Sequence, residues 1–136
     1  TSLDCLAEIL LQNEIADAEA LQDESSPQFL ALRWLANNDT AVLDLNSTPA
    51  VIIVERYVLA VLYFATSGED WEDQGNFLSA SSVCGWNNGE RGVFCDGYHL
   101  VVALRLGKSK HEEVTVLVSK YCIDSPVSFP FYLNRR

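Results

Sequence analysis

The chain has 136 residues, 49% of them hydrophobic, and a formal net charge of −10. That length and apolar fraction suit one folded domain and exclude a disordered segment. Most of the acid lies in residues 1–106, while bases outnumber acids in 107–136; an acidic body argues against nucleic acid and anionic membrane surfaces, which select clustered Lys and Arg.

The chain begins with Thr1, so it reads as a mature or trimmed product with any signal segment upstream. Leu3, Leu6, Ile9 and Leu10 fall at helical spacing. A polar stretch rich in Asp, Glu and Ala follows to about Ser25. Ser26-Pro27 is a helix start, with Ser as N-cap and Pro at the first helical position. The helix carries Phe29, Leu30, Leu32, Arg33, Trp34 and Leu35 until Asn37-Asn38-Asp39 stops it. Leu43 and Leu45 give a short extended or turn piece.

Thr48-Pro49 repeats the start signal for a long apolar run, 50–65, and Ser67-Gly68 supplies its stop. Glu55 and Arg56 fall near the middle of that run. In a membrane-spanning helix each would cost about 2.5–3.5 kcal/mol, so a core helix is the expectation and direct membrane insertion is not. Neighbouring residues on a helix do not face one another, so each charge is expected to turn toward the wetter side. From Glu69 to Gly97 the chain is turn-rich, with Asp, Asn, Gly and Ser. Residues 100–106 then read as a strand, with Leu104 and Leu106 on one face. A second strand-like run covers 114–118, and the end is rich in Pro, Phe and Tyr. No internal repeat is present. The expected fold is mainly α with a short β element, and the regions are 1–47, 48–106 and 107–136.

Four cysteines suit either two disulfides or a scatter of buried thiols. With no CxxC and only His99 and His111 as further donors, no metal site is expected. Asn38-Asp39-Thr40 and Asn46-Ser47-Thr48 are N-glycosylation acceptors, and with the cysteines they point to an oxidising, secretory compartment. Asp70, Glu72, Gln74 and Gly75 start like a calcium loop, but the twelfth position is Ser81, so they read as a solvated acidic turn. Gly107-Lys108-Ser109 lacks the upstream Gly of a phosphate-binding loop, since Val102 stands there. A cysteine nucleophile with His99 or His111 has no orienting third group, so no catalytic residues and no cofactor are expected. His99 reads as a surface residue at a turn.

The stretch 59–106 carries a family resemblance. Leu59-Ala-Val-Leu-Tyr-Phe64 and Gly68-Glu-Asp-Trp71 are followed by Cys84-Gly-Trp86, then Gly92-Val-Phe-Cys95-Asp96 and Val102-Ala-Leu104-Arg-Leu106. This resembles the N-terminal cap of leucine-rich repeat proteins, of the kind found in plant receptor-like proteins and diatoms, and the likeness extends upstream to about residue 20. The resemblance implies a disulfide between Cys84 and Cys95, with Trp71, Trp86, Val93, Leu104 and Leu106 in the cap core. Such a bond, closing a loop of about a dozen residues, is worth about 3 kcal/mol on a chain-entropy estimate. Cys5 and Cys122 then remain as a second candidate pair or as buried free thiols. The likeness ends after the first repeat strand. Leu106 is followed by Gly107-Lys108-Ser109-Lys110 and no repeat, so 107–136 is expected to be a divergent tail, as translation through a splice donor would produce.

The implied function is a non-catalytic capping module at the cell surface or outside the cell, whose parent protein recognises a protein or glycan through further repeats. The alternative is a small acidic accessory subunit that docks on a larger assembly through the 50–65 helix or the edge of the 100–106 strand.

Overall fold

A computed structural model of the chain describes residues 3–106, 114–116 and 133–135. Helix α1 (Leu3–Gln12) is followed by α2 (Ala18–Gln22) and α3 (Pro27–Arg33), which runs on into a π-helical turn (Trp34–Asn38). Helix α4 (Ala50–Ala65) leads through 3-10 turns at Gly68–Asp70 and Val83–Gly85 to strands β1 (Gly92–Cys95) and β2 (Val101–Arg105). The β1–β2 pair is antiparallel, and the three-residue strands β3 (Val114–Val116) and β4 (Leu133–Arg135) extend the sheet in the order β1-β2-β3-β4.

The mainly helical architecture with a short β element agrees with the sequence reading, and the helix starts test it in detail. Ser26 is the N-cap of α3: its Oγ accepts from the Phe29 N–H at 3.0 Å, with Pro27 at the first helical position. Helix α4 differs. Its first residue is Ala50, Pro49 takes the N-cap position, and no side chain caps the helix. Thr48 therefore stands one residue too early to act. The end of α4 also differs from expectation. The left-handed residue is Ser67 (φ 53°), while Gly68 lies in the next turn with the Tyr63 ring where a Cβ would be. Gly68 is required for close approach rather than for a positive φ. The polar stretch before Ser25 contains α2, which buries only Leu21 and so has no apolar periodicity to read.

One core runs through the described residues. Leu6 and Leu10 of α1, Leu32 of α3, Ile53, Tyr57 and Leu59 of α4, Trp86, Val93, Val101 and Leu104 all belong to it. Regions 1–47 and 48–106 thus share an interior. Among the described residues no helix is long and apolar enough to cross a membrane.

Glu55 and Arg56 depart furthest from the sequence reading. Neither turns to water; both are 2% exposed. Arg56 is drawn inward by an acid and two carbonyls that lie far away in sequence, and Glu55 by the first N–H of β2.

The contrast between the two helix starts is measurable. In urea unfolding, Ser26→Ala should cost about 1 kcal/mol as a lost N-cap, whereas Thr48→Ala should stay within about 0.5 kcal/mol as a change away from any cap.

Candidate functional site: the disulfide-closed hairpin

Cys84, in the turn after the Ser82 N-cap, is bonded to Cys95 at the end of β1, with Cα atoms 5.5 Å apart. The disulfide closes the irregular loop around Trp86. Inside that loop, the Asn87 side chain donates to the Cys84 carbonyl at 2.9 Å and to the Val93 carbonyl at 3.0 Å. It thereby holds both arms of the loop with one amide. Gly92 has φ 116°, and a Cβ there would collide with the Trp86 carbonyl and Asn87. Only glycine lets β1 start this close to the loop.

Trp86 is fully buried, and its ring meets Trp34 edge-on at 6.0 Å and Phe77 at 5.3 Å. Trp71 is half-buried. It packs edge-on against Tyr63 and Phe77, and its Nε1 donates to the Thr66 carbonyl at 3.3 Å. Val93 and Leu104 face each other across β1 and β2, both fully buried, and Leu106 packs partly buried beside the core.

Arg56 is the polar centre of the site. Its Nε and Nη2 donate to the two Asp39 carboxylate oxygens at 2.5 and 2.6 Å, a bidentate pair closed off from water. Nη1 donates to the Ser81 carbonyl at 2.8 Å and Nη2 also to the Ser79 carbonyl at 2.7 Å. Four of the five guanidinium hydrogens are thereby used. The cation lies 4.9 Å from the Trp86 ring centre and 5.4 Å from that of Trp34, close enough for cation–π attraction to both. Asp39 is fixed in turn by donating its N–H to the Trp34 carbonyl and accepting from the Ala41 N–H.

On β2 the burial order is uneven. Val101 and Leu104 are buried, Ala103 and Leu106 are half-buried, and Val102 and Arg105 are exposed. A bulge sets this pattern: Cys95 pairs with Val101 but Phe94 with Ala103, so Val102 is the extra residue. Strict alternation from Leu104 and Leu106 puts Val102 inward and overlooks Val101 as a core residue. On the open face the Arg105 guanidinium lies 4.7 Å over the Phe94 ring.

A cleft of about 320 Å³ lies between the 70–77 loop and the ends of β1 and β2, lined by Asp70, Trp71, Asp73, Gln74, Arg91 and Arg105 among others. Its polar walls are largely spent on the fold. Asp73 accepts from the Gly75 N–H and Asn88 Nδ2, which holds its carboxyl below the usual range. The Gln74 amide donates to the Glu69 carbonyl and accepts from the Tyr63 hydroxyl. Asp70, Glu72 and Asp73 form no calcium cage, and among the described residues no three His, Cys, Asp or Glu side chains converge on a metal position. His99 is exposed in the β1–β2 turn at φ 62°, as a surface turn residue would be.

Asn38 and Asn46 are both exposed, on either side of the buried Asp39. Cys5 is an exposed free thiol on α1 rather than a buried one, and Cys122 and His111 lie outside the described residues. Sequence reasoning missed Asp39 and Arg56 as partners. The only signal was that each is a charge inside or next to an apolar helix. Compared with protein-family models, with curated proteins and with solved structures, the chain matches none.

Two substitutions probe the two ties. Cys84→Ser/Cys95→Ser should cost about 3 kcal/mol in denaturant unfolding, the entropy of a loop of this size. Asp39→Ala should cost about 3–5 kcal/mol, because it strands a buried guanidinium. A double-mutant cycle with Arg56→Met should then show strong coupling, the double variant costing less than the sum.

Proposed function

We propose that this chain carries the N-terminal cap of a leucine-rich repeat protein: a non-catalytic lid that covers one end of a solenoid, leaving recognition of a protein or glycan to repeats beyond β2. The observation that carries the reading is the burial order on β2. Val101 and Leu104 are buried and Leu106 packs partly buried against the core, while Val102 and Arg105 are exposed and Ala103 is half-buried, an order that fits the L-x-x-L-x-L spacing of a leucine-rich repeat strand. Its partner β1 is antiparallel and fastened by Cys84–Cys95, so one side of the strand is closed, and a stack would grow on the other side only by displacing β3. A cap needs this asymmetry, because the end repeat of a solenoid must cover its core on one side only. The disulfide and the exposed acceptors Asn38 and Asn46 support a secreted or cell-surface location.

On the growing side of β2 lies β3, paired antiparallel at Leu104 and Val114. Repeats related by translation would run parallel there, so in this chain the edge is taken by non-repeat sequence. The accessory-subunit reading is weakened by the same facts. Residues 53–60 of α4 are buried, so that helix offers little free surface for docking.

Residues 1–106, which include Asp39 for Arg56, should replace the N-terminal cap of a leucine-rich repeat array. A soluble monomer with one cooperative thermal transition is expected. A fusion as aggregation-prone as the uncapped array would overturn the proposal.

A further inference from the structure

Glu55 is the one charged side chain of the interior that the cap architecture leaves without a counter-charge. It is 2% exposed on α4. Oε1 accepts the Val101 N–H at 3.4 Å, a long bond, and Oε2 is buried with no hydrogen-bond partner. Arg56, its neighbour, is turned to Asp39. Around α4 and its contact with β2, the charges on packed elements are Arg33 on α3, Glu69 and Asp70 in the following 3-10 turn and Arg105 on β2, which lies over Phe94, while the Trp34–Asn38 and Val83–Gly85 turns have none. Arg33 lies over Phe29, and Glu69 and Asp70 act on Tyr63. The charge that does reach Glu55 is Asp96, after β1, which repels it. Among the described residues no ion pair includes Glu55.

An ionised carboxylate in such a position has to recruit water or a proton, because one weak N–H cannot replace its hydration. We propose that Glu55 is a proton-operated latch between α4 and the start of β2: as the neutral acid it lets helix and hairpin close dry, and on ionisation it draws water in and loosens Val101. The latch is independent of whether repeats follow β2.

Burial is the main cause that raises the Glu55 pKa above the ordinary glutamate value; the Val101 N–H pulls it partly back, and Asp96 adds to the rise. The sign follows. A carboxyl whose pKa is raised on folding contributes most stability at low pH, and that contribution is lost as pH rises through the raised value. The latch therefore favours a closed hairpin in acidic surroundings.

Carbon-13 NMR of the full chain titrates the Glu55 carboxyl directly. Its midpoint should lie above the ordinary glutamate range, and the Val101 amide should shift with the same midpoint. In thermal melts across the same pH range, Glu55→Gln should hold its stability while the natural chain falls behind as pH rises. An ordinary Glu55 midpoint, a Val101 amide that does not follow it, or parallel melting profiles would each overturn the latch. Should Glu55→Gln fail to fold, the titration of the natural chain decides alone.

Discussion

A guanidinium taken out of water must be met on almost every side, because its donors lose strong hydration that only good acceptors replace. Arg56 recruits those acceptors from separate parts of the chain. Asp39 comes from the end of the π-helical turn, and the carbonyls of Ser79 and Ser81 from the loop ahead of the disulfide. Trp34 and Trp86 bring ring faces from both regions. The loop between α4 and β1 has little regular structure to hold it. Its path past Ser79 and Ser81 is fixed largely by where this cation needs oxygen. An apolar side chain of the same volume would fill the space but leave both carbonyls without these donors, so shape alone does not explain an arginine here.

The disulfide and the cation act at different ranges. Cys84–Cys95 closes a separation of 11 residues and acts on the unfolded chain by removing loop entropy. It cannot position that loop on the helices. Arg56 spans 17 residues to Asp39 and 25 to Ser81, and so joins the helical region to the hairpin. Trp86 belongs to both ties: it sits inside the disulfide loop and presents its ring to Arg56. Its buried Nε1 has no partner, so it contributes through area and ring electrostatics.

What the sequence made legible were features with a local cause. Ser26-Pro27 caps through atoms three residues away. Cys84 and Cys95 were readable because their setting resembles a known cap, and the bond is present. Glu55 and Arg56 were not readable. A helix pattern gives charged residues to water by default, and nothing local reveals an acid 17 residues upstream or an N–H 46 residues downstream. Thr48 and Gly68 mislead for a smaller reason. Each lies close enough to a helix end to look like its boundary, but one is a residue early and the other is needed for packing on Tyr63. Burial was legible at Trp86, Val93 and Leu104, but Val101 was hidden, because its inward orientation requires a bulge that alternation cannot announce.

That bulge joins β2 to the buried acid. To bury Val101 and Leu104 together, β2 must change phase between them, since a regular strand buries every second residue. The extra residue, Val102, accomplishes this. At the phase change the Val101 N–H turns to Glu55 on α4 rather than to a strand. A buried strand terminus needs an acceptor there, and Glu55 Oε1 on α4 supplies it at 3.4 Å. Glu55 thus meets the N–H at the point where the bulge changes the phase of β2. The unpaired charge that looks like a defect of the core follows from the same geometry that turns both Val101 and Leu104 inward.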